Sequence, residues 1–223
     1  LQRVREVCTR RGIVLILDEV FTGFRLARGG AQEYFGVRAD LVTYGKTLGG
    51  GLPIGVLCGR ADLMKRYRED APADISFARG TFNSHPYVMG AMNEFLRRLD
   101  SDAIRSLYER LDESWDRRVA NLNDRLAAAD LPARIANMQT VLAVLYTTPS
   151  RYNWMFQFYL KAHGLELGWI GTARMIMSLD YDDEAFVAVA DRFIAAATEM
   201  QHDGWWWSAP ELTNRTIKSM MLR

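Results

Sequence analysis

Two residues of this chain are of a type, and in a setting, that could do covalent chemistry: Asp18 and Lys46. Asp18 ends the apolar run Ile13-Val14-Leu15-Ile16-Leu17. A carboxylate in that place commonly caps the segment that follows. It also lies where open α/β sheets bind ligands, in the crevice beyond the carboxyl ends of parallel strands. Lys46 follows Leu41-Val42-Thr43-Tyr44-Gly45 and precedes Gly49-Gly50-Gly51. Lysine is seldom buried without a purpose. An amine that sheds its water in a cleft is a nucleophile toward an aldehyde. The three glycines do not make a phosphate loop, which needs its glycines before a Lys-Ser/Thr pair that opens a helix. They predict a tight turn that brings the backbone close to a neighbour.

The elements that must position these residues follow from periodicity. Residues 1–11 carry Leu1, Val4, Val7 and Cys8 at helical spacing, and Gly12 stops that helix. The run at 13–17 is β-branched and aliphatic throughout, which predicts a parallel strand buried on both faces. Residues 21–39 predict a loop with short helical pieces. Strands are predicted at 41–44 and 54–58, a short helix at 61–69, a Pro-initiated helix at 86–99 and one long amphipathic helix from 102 to about 129. Beyond Pro132 the grammar changes to strand pairs with covering helices. Strands are expected at 134–138, 140–146 and 174–179, and helices at 152–163 and 183–200. The tail from His202 onward shows no clear period. This order predicts an α/β domain followed by a small α+β domain.

The chain has 223 residues, with 28 Lys+Arg against 27 Asp+Glu and a net charge of +1. That balance gives no general pull toward nucleic acid or an anionic membrane. No apolar run approaches the ~20 residues of a membrane helix. The two cysteines, Cys8 and Cys58, lack metal-like neighbours, so a reducing, cytoplasmic setting is expected.

Three segments together resemble a known family: LILDEVFTGFR at 15–25, GGAQEYFGVRADLVTYGKTLGGGLPIGVLCGR at 29–60, and GTFNSHP at 80–86. In this order they are similar to the class III pyridoxal-phosphate (PLP) aminotransferases. Within that class they look most like the glutamate-1-semialdehyde 2,1-aminomutases and the aminotransferase domains of polyketide and peptide megasynthases. The likeness is dense over 1–99, looser over 100–200, and corresponds to the C-terminal half of such a protein. It implies PLP fold type I: residues 1–104 as the remainder of the large α/β domain, 105–205 as the small α+β domain, and 206–223 as a tail or linker.

The resemblance also implies roles. Lys46 matches the lysine that holds PLP as a Schiff base and shuttles protons. Asp18 matches the aspartate that keeps the pyridine nitrogen protonated. Val20 matches the residue against one face of the ring, with plain core packing as its alternative. Thr81 matches the threonine that binds the cofactor phosphate of the partner subunit, against an ordinary turn position. His85 reads as a helix-start group, and Arg25 and Arg79 as solvated surface residues outside the site. The implied activity is amino-group transfer between a small-molecule amino donor and a carbonyl acceptor, in a homodimer and within a larger polypeptide. Another PLP reaction on the same scaffold, or a non-catalytic assembly piece, are the alternatives.

Overall fold

A computed structural model of the chain describes residues 1–75, 80–167 and 174–221. The chain divides into two compact units, Leu1–Glu109 and Arg110–Arg223.

The first unit opens with α1 (Gln2–Arg11), closed by Gly12 at φ 64°, the left-handed conformation that glycine adopts without a Cβ penalty. Three strands follow: β1 (Ile16–Asp18), β2 (Leu41–Gly45) and β3 (Gly55–Gly59), in the order β1-β2-β3. β1 runs parallel to β2, with Asp18 opposite Thr43, and β3 returns antiparallel. Asp40 ties the starts of β1 and β2 to α1 and to the end of β3. Its carboxylate accepts from the Leu15 N–H (2.8 Å), the Arg5 guanidinium (2.8 Å) and the Arg60 guanidinium (3.1 Å). Between β1 and β2 lies the short α2 (Ala31–Tyr34). α3 (Pro86–Leu99) and α4 (Asp102–Glu109) complete the unit. The Tyr108 hydroxyl of α4 donates to the Phe24 carbonyl (2.5 Å), and the Phe24 ring packs edge-on to Phe95.

Three expectations change here. β1 is not buried on both faces: Ile13, Val14 and Ile16 are 53%, 43% and 56% exposed. β1 is an edge strand among the described residues, so only one side has a neighbour. Residues 61–69 form no helix. A single turn at Arg60–Met64 is followed by a bridge between Tyr67 and Ile75. The Asp62 carboxylate, near the start of that expected helix, accepts from the Arg60 guanidinium (2.7 Å). The long helix from 102 is interrupted at Arg110, which has left the helical region at ψ 3°.

The second unit packs α5 (Leu111–Ala128) and α7 (Asp183–His202) with the antiparallel sheet β4 (Ala133–Met138), β5 (Val141–Tyr146) and β6 (Arg174–Ile176). Its core holds Trp115, Leu122, Leu126, Leu142, Phe156 and Phe193. The Asn123 side chain, on α5, bonds both the N–H (2.7 Å) and the C=O (2.9 Å) of Ile135, which locks the helix to β4. The expected helix at 152–163 is a 3-10 turn (Asn153–Met155) leading into α6 (Phe156–Ala162). The tail holds structure that its sequence did not show. Trp206 donates its indole N–H to Ala197 C=O (3.0 Å) and packs on Phe156. α8 (Asn214–Met221) then starts at Thr213, whose hydroxyl accepts from the Thr216 N–H (3.1 Å).

Candidate functional site

The carboxyl ends of the parallel pair β1 and β2 carry Asp18, Val20 and Lys46. Asp18 is exposed. Its Oδ1 accepts from the Val20 N–H (3.0 Å) and from the Thr43 hydroxyl (3.0 Å). Oδ2 accepts no hydrogen bond among the described residues. The Val20 N–H first, then the Thr43 hydroxyl and the Lys46 charge, hold this carboxyl below its ordinary range. Asp18 is therefore a fixed, ionised acceptor with one oxygen to spare.

Lys46 begins a 3-10 turn (Lys46–Gly49) at the end of β2. Its φ of 44° is in the left-handed region that non-glycine residues seldom occupy, a form of strain that clusters at functional positions. The turn closes on Gly50 at φ 58°, as the glycine run predicts, and Gly51 follows at φ 97°. The amine is exposed, not enclosed as the cleft argument expects. Lys46 Nζ rests 5.2 Å from the Phe21 ring centroid, a cation–π contact. Val20 packs against the same corner: a Cβ on Gly45 would lie 3.4 Å from Val20 Cγ1 and 3.0 Å from the Ile54 carbonyl. A side chain at 45 would thus crowd both.

Thr81 lies in the exposed turn before α3 and has no hydrogen-bond partner among the described residues. It does not start the helix, because the N-cap of α3 is His85. α3 packs against the Lys46–Gly49 turn, which brings the two motifs to one part of the unit. The His85 ring stacks on Tyr87 at 5.5 Å, and its Nδ1 is buried without a partner. Arg25 is nearer the site than its sequence suggests. Its guanidinium lies 5.6 Å from the Phe21 centroid, so one ring faces both Arg25 and Lys46. Arg79 is outside the described residues.

Sequence reasoning missed Phe21, Thr43 and Glu19. The first touches Lys46 and the second touches Asp18. Thr43 was within reach of that reasoning, since any parallel pairing of β1 with β2 places a β2 residue beside Asp18.

The donor set suits PLP. An amine with no hydrogen-bond partner among the described residues, an ionised carboxylate with a spare oxygen and an apolar β-branched side chain share one corner, where Gly45 leaves room for Val20. Among the described residues no cluster of His, Cys, Asp or Glu could hold a metal, and no helix is long and apolar enough to cross a membrane.

Residues 1–197 match the family described as Aminotransferase class-III. The glutamate-1-semialdehyde 2,1-aminomutase of Flavobacterium johnsoniae is 40% identical over 144 residues, which cover 65% of this chain and 32% of that protein. The enzyme of the same name from Syntrophobacter fumaroxidans is 43% identical over 141 residues, 62% of this chain and 31% of that protein. Among solved structures, an omega-transaminase from Sphaerobacter thermophilus superposes with a TM-score of 0.74 at 26% identity, covering 90% of this chain and 47% of that one. A transaminase with PLP bound superposes at 0.75 with 24% identity, covering 92% and 48%. The matched region is about a third of the curated relatives' length and about half that of the solved neighbours.

Proposed function

Because the chain belongs to the class-III aminotransferase family, we propose that it carries the lysine-bearing part of a PLP enzyme that transfers amino groups, as an aminotransferase or a glutamate-1-semialdehyde-type aminomutase. The observation that carries this reading is the convergence of Asp18, Val20 and Lys46 at the ends of β1 and β2. When bound, PLP supplies an electron sink for the pair released at the amino-bearing carbon.

The chain's own residues do the rest. Lys46 Nζ would hold the cofactor through its aldehyde carbon, whose oxygen leaves as water, and when free of it would take and return the proton at the substrate carbon. Asp18 would keep the pyridine nitrogen protonated, while Val20 N–H and Thr43 Oγ1 keep the carboxylate ionised and aimed. Val20 would pack against the cofactor ring. Thr81 would bind the phosphate of the cofactor in a partner subunit, which would make the working form a homodimer acting on a small-molecule amino donor and carbonyl acceptor. The thiols of Cys8 and Cys58 are unpaired, which suits the cytoplasm.

Asp18→Asn tests the reading, made in the full polypeptide that carries this sequence. The variant is expected to fold and bind PLP while the proton-transfer step slows by about 100-fold or more. Near-normal turnover would reduce Asp18 to a cap.

A further inference from the structure

Glu19 is the most deeply buried carboxylate among the described residues, 1% exposed, and it follows directly on Asp18. An ionised carboxylate is rarely left in such a place unless its bonds are made. Here they are. Oε2 accepts from the Thr22 hydroxyl (2.5 Å) and the Ala31 N–H (2.9 Å), and Oε1 from the Gln32 N–H (2.9 Å). The main chain of Glu19 is held as well: its N–H donates to Thr43 C=O (2.9 Å), and its C=O accepts from the Gly23 N–H (2.8 Å). The cradle around the carboxylate is closed by Gly30. That residue has a φ of 75°, and a Cβ there would come within 2.7 Å of Oε2. Only glycine fits.

These bonds pin both ends of the turn 20–22. That turn supplies the Val20 N–H that aims Asp18 and the Phe21 ring under the Lys46 amine. We infer that Glu19 is a positioning residue: its carboxylate fixes the turn that orients Asp18 and seats Phe21 beneath Lys46. The inference rests on the function proposed above. Glu19 touches neither substrate nor cofactor and acts through its neighbours. Gln at 19 keeps the shape but turns an NH2 group toward N–H donors, so at least one donor loses its acceptor. The turn then relaxes, and the aim of the Asp18 carboxylate relaxes with it.

The test uses the full polypeptide loaded with PLP alone. The readout is the pH at which the visible absorbance of the bound cofactor titrates, a property that lost stability by itself leaves unchanged. Glu19→Gln and Thr22→Val are expected to move that midpoint by about half a pH unit or more, while Thr22→Ser, which keeps the hydroxyl, titrates as the parent does. If Glu19→Gln fails to fold, Thr22→Val, which removes a single donor, decides the matter. A folded, PLP-loaded Glu19→Gln or Thr22→Val protein that titrates like the parent overturns the inference and leaves Glu19 a stabilising anchor. A parent protein that binds PLP with no visible band overturns the proposed function and the inference with it.

Discussion

Thr43 donates its hydroxyl to Asp18 Oδ1 at 3.0 Å, across the parallel pair β1–β2, from the position directly opposite in register. A carboxylate with one oxygen engaged in this way keeps its aim and its charge. Thr43→Val removes the donor and keeps the β-branched shape that suits a strand. We expect kcat to fall by about 3- to 10-fold and the acid limb of its pH profile to move upward, because Asp18 then takes up a proton more readily. An unchanged acid limb would assign the orientation of Asp18 to Val20 alone.

Asp40 gives a pH prediction for folding. The Leu15 N–H, then Arg5, then Arg60, hold its carboxyl well below the usual carboxylate range. A group depressed in the folded state contributes stability above its unfolded pKa, and loses it as pH falls through the folded value. Asp40→Asn is therefore expected to lower the urea midpoint at pH 7. The gap from the parent should narrow steadily below about pH 4, where the unfolded carboxyl takes up its proton. A gap that stays constant from pH 7 to pH 2 would show that the Asp40 charge is not what ties the strand starts together.

These residues also show how far sequence alone could reach. The pair Asp18 and Lys46 was legible because each ends an apolar run, and a strand's end fixes where its next side chain goes. The burial of β1 was not. A continuous apolar run reports the environment a strand is suited to, and among the described residues nothing covers Ile13, Val14 and Ile16. The break at Arg110 has no Gly or Pro to announce it, and it falls where the chain passes from one compact unit to the next. Glu19 was invisible for another reason. Thr22 is three residues away, but Ala31 and Gln32 are brought to Glu19 by the loop's tertiary path and not by any local period. The Trp206 contact likewise depends on the chain doubling back over α7.

Thr81 carries the prediction about assembly. Its hydroxyl is exposed and uncommitted among the described residues, and α3, which follows it, packs on the Lys46 turn. Lys46→Ala and Thr81→Ala subunits, each inactive in the full polypeptide, are expected to regain part of the activity when mixed. A two-fold dimer would give some mixed pairs one site with both residues intact. Proven subunit exchange with no recovery would place Thr81 in its own chain's site or outside any.

The central claim is that Lys46 is the covalent anchor. It directly follows β2 near Asp18, with its amine on the ring of Phe21, in a backbone conformation that a lysine seldom adopts without cause. Borohydride reduction of the PLP-loaded full polypeptide, followed by peptide mapping, tests this most directly. The expected result is a single phosphopyridoxyl label on the peptide that contains Lys46. Label on Lys65 or Lys161 with none on Lys46 would contradict the account.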